Sequence, residues 1–375
     1  MAAEKNNKTL NVPNLRFPEF SGEWELVALK EVADFANGKA HEDSVSEDGK
    51  YILINSKFIS TEGKVKKYTD KQLSPLYKNQ IVMVMSDLPN GKALAKCYYI
   101  NEDDKYTLNQ RICSLTPTCC DSRFLLYQIN RNKYYLRFDD GVNQTNLKKG
   151  EVLNCPVYLP SSNEQQKISA LLSLLDQRIA TQKKVIEDLK KLKDAIRTKL
   201  FKQVENRCDV YNEIRNMLNY EQPTEYLVSS TEYSDNYKTP VLTANKAFIL
   251  GYTDEVNGIY DKGNCIILDD FTMDVKYVTF PFKVKSSAIK ILTSKQDVDL
   301  YFMYEYLLYL GLVSEEHKRH YISEIEPMSI ICPPLPKQRQ ISNVLRALEI
   351  QVESAETYQD LLSKQKQYLL NQMFI

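Results

Sequence analysis

The segment Pro160–Phe201, PSSNEQQKISALLSLLDQRIATQKKVIEDLKKLKDAIRTKLF, aligns without a gap onto Pro333–Phe374, PPLPKQRQISNVLRALEIQVESAETYQDLLSKQKQYLLNQMF. Ten of the 42 aligned pairs are identical, among them Gln165/Gln338, Ile168/Ile341, Leu172/Leu345, Leu175/Leu348, Leu189/Leu362, Lys191/Lys364 and Phe201/Phe374. Composition alone would give roughly two or three, so duplication is the simplest explanation. In the first copy Ile168, Leu172, Leu175, Ile179, Ile186, Leu189, Ile196 and Leu200 recur by threes and fours with no proline or glycine between them, which predicts one long amphipathic helix. The second copy repeats the stripe with Ile341, Leu345, Leu348, Val352, Leu362, Leu369 and Met373. Polar interruptions fall at equivalent places, Gln182 against Ala355, Ile186 against Gln359 and Lys193 against Lys366. About 38 helical residues span roughly 57 Å, more than a globular core asks of one helix. A single copy would read as ordinary core or a homodimeric coiled coil. Two copies separated by a domain favour an intramolecular antiparallel pair.

Each helix follows a globular region, and the two regions share an order of features. Tyr51-Ile52-Leu53-Ile54-Asn55-Ser56-Lys57 parallels Pro240-Val241-Leu242-Thr243-Ala244-Asn245-Lys246. Next come second strands at Ile81–Asp87 and Cys265–Asp270, both closing in acid-containing turns. A strand reaching Leu115 or Leu292, a short apolar helix (Phe124–Leu136 or Leu300–Leu312) and a polar loop then lead to proline and the long helix. The expected fold class is α/β, with two globular domains in tandem, each followed by a long helix, the helices pairing as an antiparallel coiled coil with pseudo-twofold symmetry. The expected boundaries are 12–157 and 206–331 for the domains, and 160–203 and 333–375 for the helices.

Composition bounds the rest. With 375 residues and 43% hydrophobic side chains, the chain suits two folded domains. Met1–Lys8 carries charge but no apolar stretch, and no run reaches the roughly 18 residues a membrane helix needs; a cytoplasmic protein without membrane association is expected. The eight cysteines show no Cys-x-x-Cys spacing and read as reduced packing residues. Lysine plus arginine and aspartate plus glutamate both number 49, so the chain does not bind by bulk charge. Any nucleic-acid role needs local basic clusters, or positive surface supplied by partners.

Several motifs resemble those of the specificity subunit of type I restriction-modification systems, and the resemblance covers nearly the whole chain. Leu15-Arg16-Phe17-Pro18-Glu19-Phe20 with Trp24 and Glu25 is similar to the family's opening before its first target-recognition domain. The turns into Glu164-Gln165-Gln166-Lys167-Ile168 and Lys337-Gln338-Arg339-Gln340-Ile341 resemble its conserved helix starts. Tyr220–Thr224, Lys238–Thr243, Gly251–Thr253, Asp269–Thr272 and Lys285–Ser287 resemble a recurrent recognition-domain variant. The second domain departs from the first in lacking a tryptophan-containing opening. The resemblance implies a non-catalytic subunit that reads a split target in double-stranded DNA, one half-site per domain, with the paired helices as a ruler. Methyltransferase (modification) subunits and restriction/translocase subunits would be its partners and do the chemistry. No cofactor and no metal are expected for the chain itself.

Such a reader needs cations for phosphates and amides, arginines or hydroxyls for base edges. In the first domain the candidates are Lys64, Lys66, Lys67, Asn90, Lys92 and the loop carrying Asn143, Gln144, Asn146, Lys148 and Lys149. In the second they are Lys238, Asn245, Lys246, Lys283, Lys285, Lys318, Arg319 and His320. A lone lysine is more often a solvated surface charge. The 143–149 loop stands out because it joins amides, a hydroxyl and paired lysines directly before the spacer. His317 and His320 have ligand-pair spacing, but no cysteine or acidic cluster completes a metal site. The tyrosines Tyr301, Tyr304, Tyr306 and Tyr309 could stack on bases, although an apolar helix suits packing better.

The sequence carries no Gly-x-x-x-x-Gly-Lys-Ser/Thr phosphate loop, no Asn/Asp-Pro-Pro-Tyr/Phe motif of amino-methyltransferases and no glycine-rich nucleotide loop. Two alternatives remain at this level. One is a self-contained nuclease using Asp269-Asp270 or Asp139-Asp140 on magnesium, against which stands the absence of a nearby acid-x-lysine arrangement. The other is a coiled-coil adaptor without DNA recognition.

Overall fold

A computed structural model describes residues 10–243, 248–313 and 321–375. It divides into two compact units, one holding the residues up to Thr181 together with Gln359–Ile375, the other Gln182–Tyr358. Both contain a domain built on the same plan.

In the first unit the chain runs through β1 (Glu25–Ala28), β2 (Ala33–Asn37), β3 (Tyr51–Ile54), α1 (Ser56–Ser60), β4 (Tyr68–Thr69), β5 (Ile81–Val84), β6 (Ser86–Asp87), β7 (Cys97–Tyr99), β8 (Tyr106–Leu108) and β9 (Ile112–Pro117). Then follow α2 (Ser122–Ile129), α3 (Lys133–Leu136), β10 (Thr145–Asn146), α4 (Lys149–Leu153), β11 (Pro156–Leu159) and the long α5 (Ser162–Glu205). One sheet has the order β2-β9-β5-β7, a second β4-β3-β8, and two-stranded ribbons join β1 to β11 and β6 to β10. Central β5, Ile-Val-Met-Val, is buried throughout. Its side chains alternate between faces: Ile81 and Met83 enter one core, Val82 and Val84 the other. A continuous apolar run is what a strand covered on both faces requires.

The second unit repeats this arrangement. After β12 (Tyr211–Glu213), α6 (Ile214–Met217), β13 (Leu218–Glu221), β14 (Thr239–Leu242) and β15 (Ile249–Thr253) comes the buried β16 (Cys265–Asp269). Beyond it lie β17 (Val275–Val278), β18 (Lys283–Val284), β19 (Ile289–Ser294), α7 (Leu300–Leu310), β20 (Ser329–Ile331) and the long α8 (Leu335–Met373). The sheets are β13-β19-β16-β17 and β15-β14-β18, with β12 on β20. The parallel pair β14–β18 matches the parallel pair β3–β8. Ile266 and Leu268 face one core while Cys265 and Ile267 face the other.

The repeated glutamines explain how each helix is fastened to its domain. Gln165 Nε2 donates to Pro160 O at 2.9 Å, and its Oε1 accepts the Asp121 N–H at 2.9 Å. Gln338 does the same with Pro333 O (2.8 Å) and the Asp299 N–H (2.9 Å). Asp121 and Asp299 are in turn the N-caps of α2 and α7, each accepting an amide at 2.8 Å. In the first unit Phe374 packs on Trp24 and Phe124; in the second Phe201 packs on Phe302 and Tyr306. Within each unit the segments of α5 and α8 run antiparallel, and an ion pair crosses between them at equivalent repeat positions. Asp176 meets Lys366 in the first unit, and Glu349 meets Lys193 in the second. Arg16 adds a bidentate contact to the fully buried Glu164, both distances 2.7 Å.

Local differences from the sequence reading have local causes. The apolar stretch Phe124–Leu136 is two helices, because Arg131 adopts a left-handed φ of 55° between them. The strand expected over Tyr51–Lys57 stops at Ile54, where Asn55 caps α1 through the Phe58 amide. The second apolar helix ends at Leu310 on Gly311, whose φ of 59° suits glycine. All eight cysteines are unpaired. Among the described residues no helix is long and apolar enough to cross a membrane.

Candidate nucleic-acid interface

In the first domain two loops far apart in sequence are tied into one surface. Ser86 and Asp87 pair antiparallel with Asn146 and Thr145, and the ladder continues as the Leu147 amide donates to Met85 O at 2.8 Å. Along this ribbon Thr145 and Leu147 are buried while Gln144, Asn146 and Lys148 are exposed, the alternation of an extended strand. Asp87 shapes the neighbouring turn. Its Oδ1 accepts the Leu88 amide at 2.9 Å, and its Oδ2 accepts those of Ala93 and Leu94 at 2.6 and 3.0 Å. A Cβ on Gly91 would sit 2.1 Å from Asp87 Oδ2, so only glycine lets the carboxylate lie this close. Arg131 closes the turn from behind by donating to Gly91 O and Leu94 O.

Asn90, left-handed at φ 54°, donates from Nδ2 to Gly141 O at 3.2 Å and so joins the turn to the 139–146 loop. That loop is ordered by its own acids. Asp139 accepts the Gly141 amide, and Asp140 accepts the Val142 and Asn143 amides at 2.9 and 2.8 Å with Asn143 Nδ2 at 3.0 Å. Donation by the Asn143 amide, then by Val142 and the Asn143 side chain, holds the Asp140 carboxyl down at about 2. A cavity of about 180 Å³ opens here, lined by Phe138, Asp140, Asn143, Gln144, Thr145, Asn146 and Glu151. Arg137 stacks on Tyr134 and Phe138 at 4.1 and 5.0 Å from the ring centroids, and Lys149 lies 5.5 Å over Phe35. The result is an exposed polar face rich in carboxamides and bordered by cations.

The second domain uses the same two positions differently. Asp269 Oδ1 accepts the Phe271 and Thr272 amides, both at 2.7 Å, in a short turn. Asp270 lies 3.2 Å from the buried Lys290 ammonium and accepts the Tyr321 amide at 2.7 Å. The segment after α7 is therefore fastened to the turn after β16, as the segment after α3 is to the turn after β5. Asp270 and the Oδ1 of Asp269 are committed to internal partners, while the buried Oδ2 of Asp269 accepts no hydrogen bond among the described residues, and among those residues no group of three or more His, Cys, Asp or Glu side chains could hold a metal.

Comparison with known proteins follows the duplication. The sequence profile described as the type I restriction modification DNA specificity domain matches twice, over residues 21–191 and 213–363. The chain belongs to this family. Its specificity-domain match takes in both domains and most of both long helices. An Escherichia coli type I restriction enzyme specificity subunit is 44% identical over 160 residues, 40% of either chain. One from Methanocaldococcus jannaschii is 26% identical over 203 residues, 53% of this chain and 45% of the relative. The alignments thus span less than half the length of these two relatives. Among solved structures, the S subunit of a type I restriction-modification system from M. genitalium superposes with a TM-score of 0.65 at 18% identity, covering 97% of this chain and 99% of that one. That likeness shows the fold.

Within this specificity-family chain, the residues singled out from sequence fall into three groups. Asn90, Lys92, Asn143, Gln144, Asn146, Lys148 and Lys149 are all exposed and lie on the two linked segments just described. Lys64, Lys66 and Lys67 are exposed but sit elsewhere, on the segment entering β4. In the second domain Lys238 precedes β14 and Lys285 follows β18, both exposed. Because Val241 pairs in parallel with Lys283, these two lysines occupy opposite ends of the strand pair. Lys283 itself is 3% exposed, its ammonium 2.6 Å from Asn257 O and 2.9 Å from Glu255 Oε2, so it is part of the domain's interior. Asn245, Lys246, Lys318, Arg319 and His320, like His317, lie outside the described residues. The tyrosines of α7 pack: Tyr301 and Tyr306 are buried in the core. Sequence reading took Asp87 only as the start of the turn that presents Asn90 and singled out neither Ser86 nor Arg111, which the structure places beside it. Arg111 is exposed, left-handed at φ 69°, and adjoins the ribbon because its carbonyl accepts the Met85 amide at 2.9 Å. The polar run Asn109-Gln110-Arg111 between two apolar strands was the available signal.

Proposed function

We propose that this chain reads a two-part sequence in double-stranded DNA for a type I restriction-modification complex. Residues 12–157 take one half-site and 206–331 the other, while 160–203 and 333–375 form the spacer. The observation that carries this reading is the double match of one DNA-specificity profile to two copies of the same domain-plus-helix unit. Two similar domains suit two half-sites on one duplex, and their divergent loops suit half-sites of different sequence. The chain performs no chemistry; methyltransferase subunits and restriction/translocase subunits act on the DNA it selects. The internal commitments of Asp139, Asp140 and Asp270, and the lack of any cluster of three or more His, Cys, Asp or Glu among the described residues, favour this over a self-contained nuclease.

The test is an exchange of residues 12–157 for the first domain of another family member, with methylation sites mapped in cells carrying the assembled complex. One half of the recognised sequence should change while the other stays. A simultaneous change of both halves would remove independent reading. A wild-type complex that methylates without any sequence preference would leave only the coiled-coil adaptor.

A further inference from the structure

We infer that Ser86, which is 8% exposed, is a specificity-determining positioning residue. It fixes which way the Gln144 and Asn146 carboxamides face, so that the first domain presents an Asn146 N–H donor beside a Gln144 carbonyl acceptor. The inference rests on the DNA-reading function proposed above and deepens it.

The single hydroxyl proton couples the two carboxamides, so that one turns its oxygen and the other its nitrogen toward Ser86. Ser86 Oγ donates its proton to Asn146 Oδ1 at 2.6 Å and accepts from Gln144 Nε2 at 2.8 Å. Gln144 Nε2 also approaches Asn146 Oδ1 at 3.4 Å. A hydroxyl has one proton to give, and here it goes to Asn146. The Asn146 oxygen is thereby occupied twice, and both protons on its Nδ2 are unspent. Gln144 spends Nε2 inward, which leaves the lone pairs of Oε1 outward. Neither outward group has a partner among the described residues. The register of the ribbon brings these groups within reach, since Ser86 and Asn146 are directly opposed across β6 and β10, and both amides line the 180 Å³ cavity.

An exposed carboxamide without such a relay can turn over and show either end to solvent. With Ser86 in place the displayed order is donor then acceptor. In the major groove a donor suits a purine N7, and an acceptor suits an amino group; adenine carries N7 beside N6–H₂ on a single base. The half-site read by the first domain should therefore contain an adenine facing Asn146 and Gln144.

The experiment uses the full chain in its assembled complex, with Ser86→Ala, Ser86→Thr and Asn146→Asp compared by methylation-site mapping. It adds binding to duplexes carrying 7-deazaadenine at the adenines of the half-site that responds to exchange of the first domain. Ser86→Ala should lower discrimination for adenine at one position by roughly tenfold and leave the other half-site unchanged. Ser86→Thr, which keeps the hydroxyl, should retain the preference. The 7-deaza substitution should weaken wild-type binding and weaken Asn146→Asp much less, because that variant has already lost its donor. If Ser86→Ala proves unstable, the exposed Asn146→Asp and the 7-deaza probe decide the matter alone. Unchanged base preference in Ser86→Ala, equal losses in the alanine and threonine variants, or indifference to 7-deazaadenine would each overturn the inference. In those cases wild-type recognition of a split sequence would still stand, so the two failures are distinguishable.

Discussion

The two domains share strand order, core partition and helix fastening, yet differ in the connection that leaves the central strand. Between β5 and β7 the chain spends residues 85–96, enough for a ribbon strand and an Asp-clamped turn; between β16 and β17 it spends only 270–274. The post-helix segments differ to match. In the first domain that segment forms a strand on β6, whereas in the second Tyr321 docks through one amide on Asp270. The scaffold is conserved between the copies and the displayed loops are not, which is how one fold can face two different ligands from rigid supports. Buried charge is also distributed unequally. The second unit anchors α5 with Glu305, wholly buried on α7, between Lys193 and Arg197. At the matching place in the first unit Tyr127 donates to Asp176 at 2.7 Å, and Asp176 meets Lys366 nearer solvent.

The largest expected effect follows from that inequality. Glu305 Oε1 lies 2.8 Å from Lys193 Nζ, in ion contact without hydrogen-bond alignment, and its Oε2 accepts from Arg197 Nε at 2.7 Å. Glu305→Ala would remove the one wholly buried partner of two nearly buried cations, leaving Lys193 with Glu349 and Arg197 with the more exposed Asp194, and should cost about 3 kcal/mol, the low end for a broken buried pair. Asp176→Ala removes a pair that is 40% and 26% exposed and should cost no more than about 1–2 kcal/mol, including the lost tyrosine hydrogen bond. Hydrogen exchange of α7 amides reports the second unit, and the fluorescence of Trp24, the sole tryptophan, reports the first. Equal losses would mean that burial does not distinguish the two anchors.

A middle-sized effect separates the turns. Asp87→Ala leaves three amides without their acceptor and Asp269→Ala leaves two, so each should loosen its own turn by about 1–3 kcal/mol, Asp87 the more. Mapped in the assembled complex, Asp87→Ala should blur one half of the recognised sequence and Asp269→Ala the other. Blurring of the same half by both would contradict the assignment of one half-site to each domain.

These contrasts also mark what was legible in the sequence. The helices could be read because a mostly threefold and fourfold spacing, interrupted at matching places, runs over most of α5 and α8, and identical glutamines pointed to a repeated role that the structure supplies at Pro160 and Pro333. The central strands were legible as apolar runs. The ribbon was not, since a strand as short as Ser86–Asp87 has no periodicity, and its pairing is fixed by Thr145 and Asn146, far along the chain. Lys283 misled for a related reason: a lysine reads as surface charge unless its acceptor is visible, and Glu255 lies on a separate, earlier segment. The 143–149 loop, by contrast, could be singled out from composition alone, and the structure shows its amides and lysines exposed on one face.

The smallest effect concerns pH. Asp140 is fully exposed and its carboxyl is held at about 2, below its ordinary value of 3.8, by the Asn143 and Val142 amides and the Asn143 side chain. In the second domain Glu255 is lowered by the Ser230 amide first and by Lys283 as well, so a cation contributes there and none does at Asp140. A carboxyl whose folded pKa is depressed gives its full stabilisation above the unfolded value and loses it as pH falls through the folded one. The 139–146 loop should therefore keep its closed arrangement from neutrality to below pH 3, and give way only on approach to pH 2. The Val142 and Asn143 amide resonances should be flat across pH 3–5, where a free aspartate would already be titrating. Replacing Lys283 by Met should raise the titration of Glu255 and leave that of Asp140 where it was. An amide midpoint near 4 would show that Asp140 does not hold the loop, and the order of the Asn143–Asn146 face would then have to come from the β6–β10 ribbon alone.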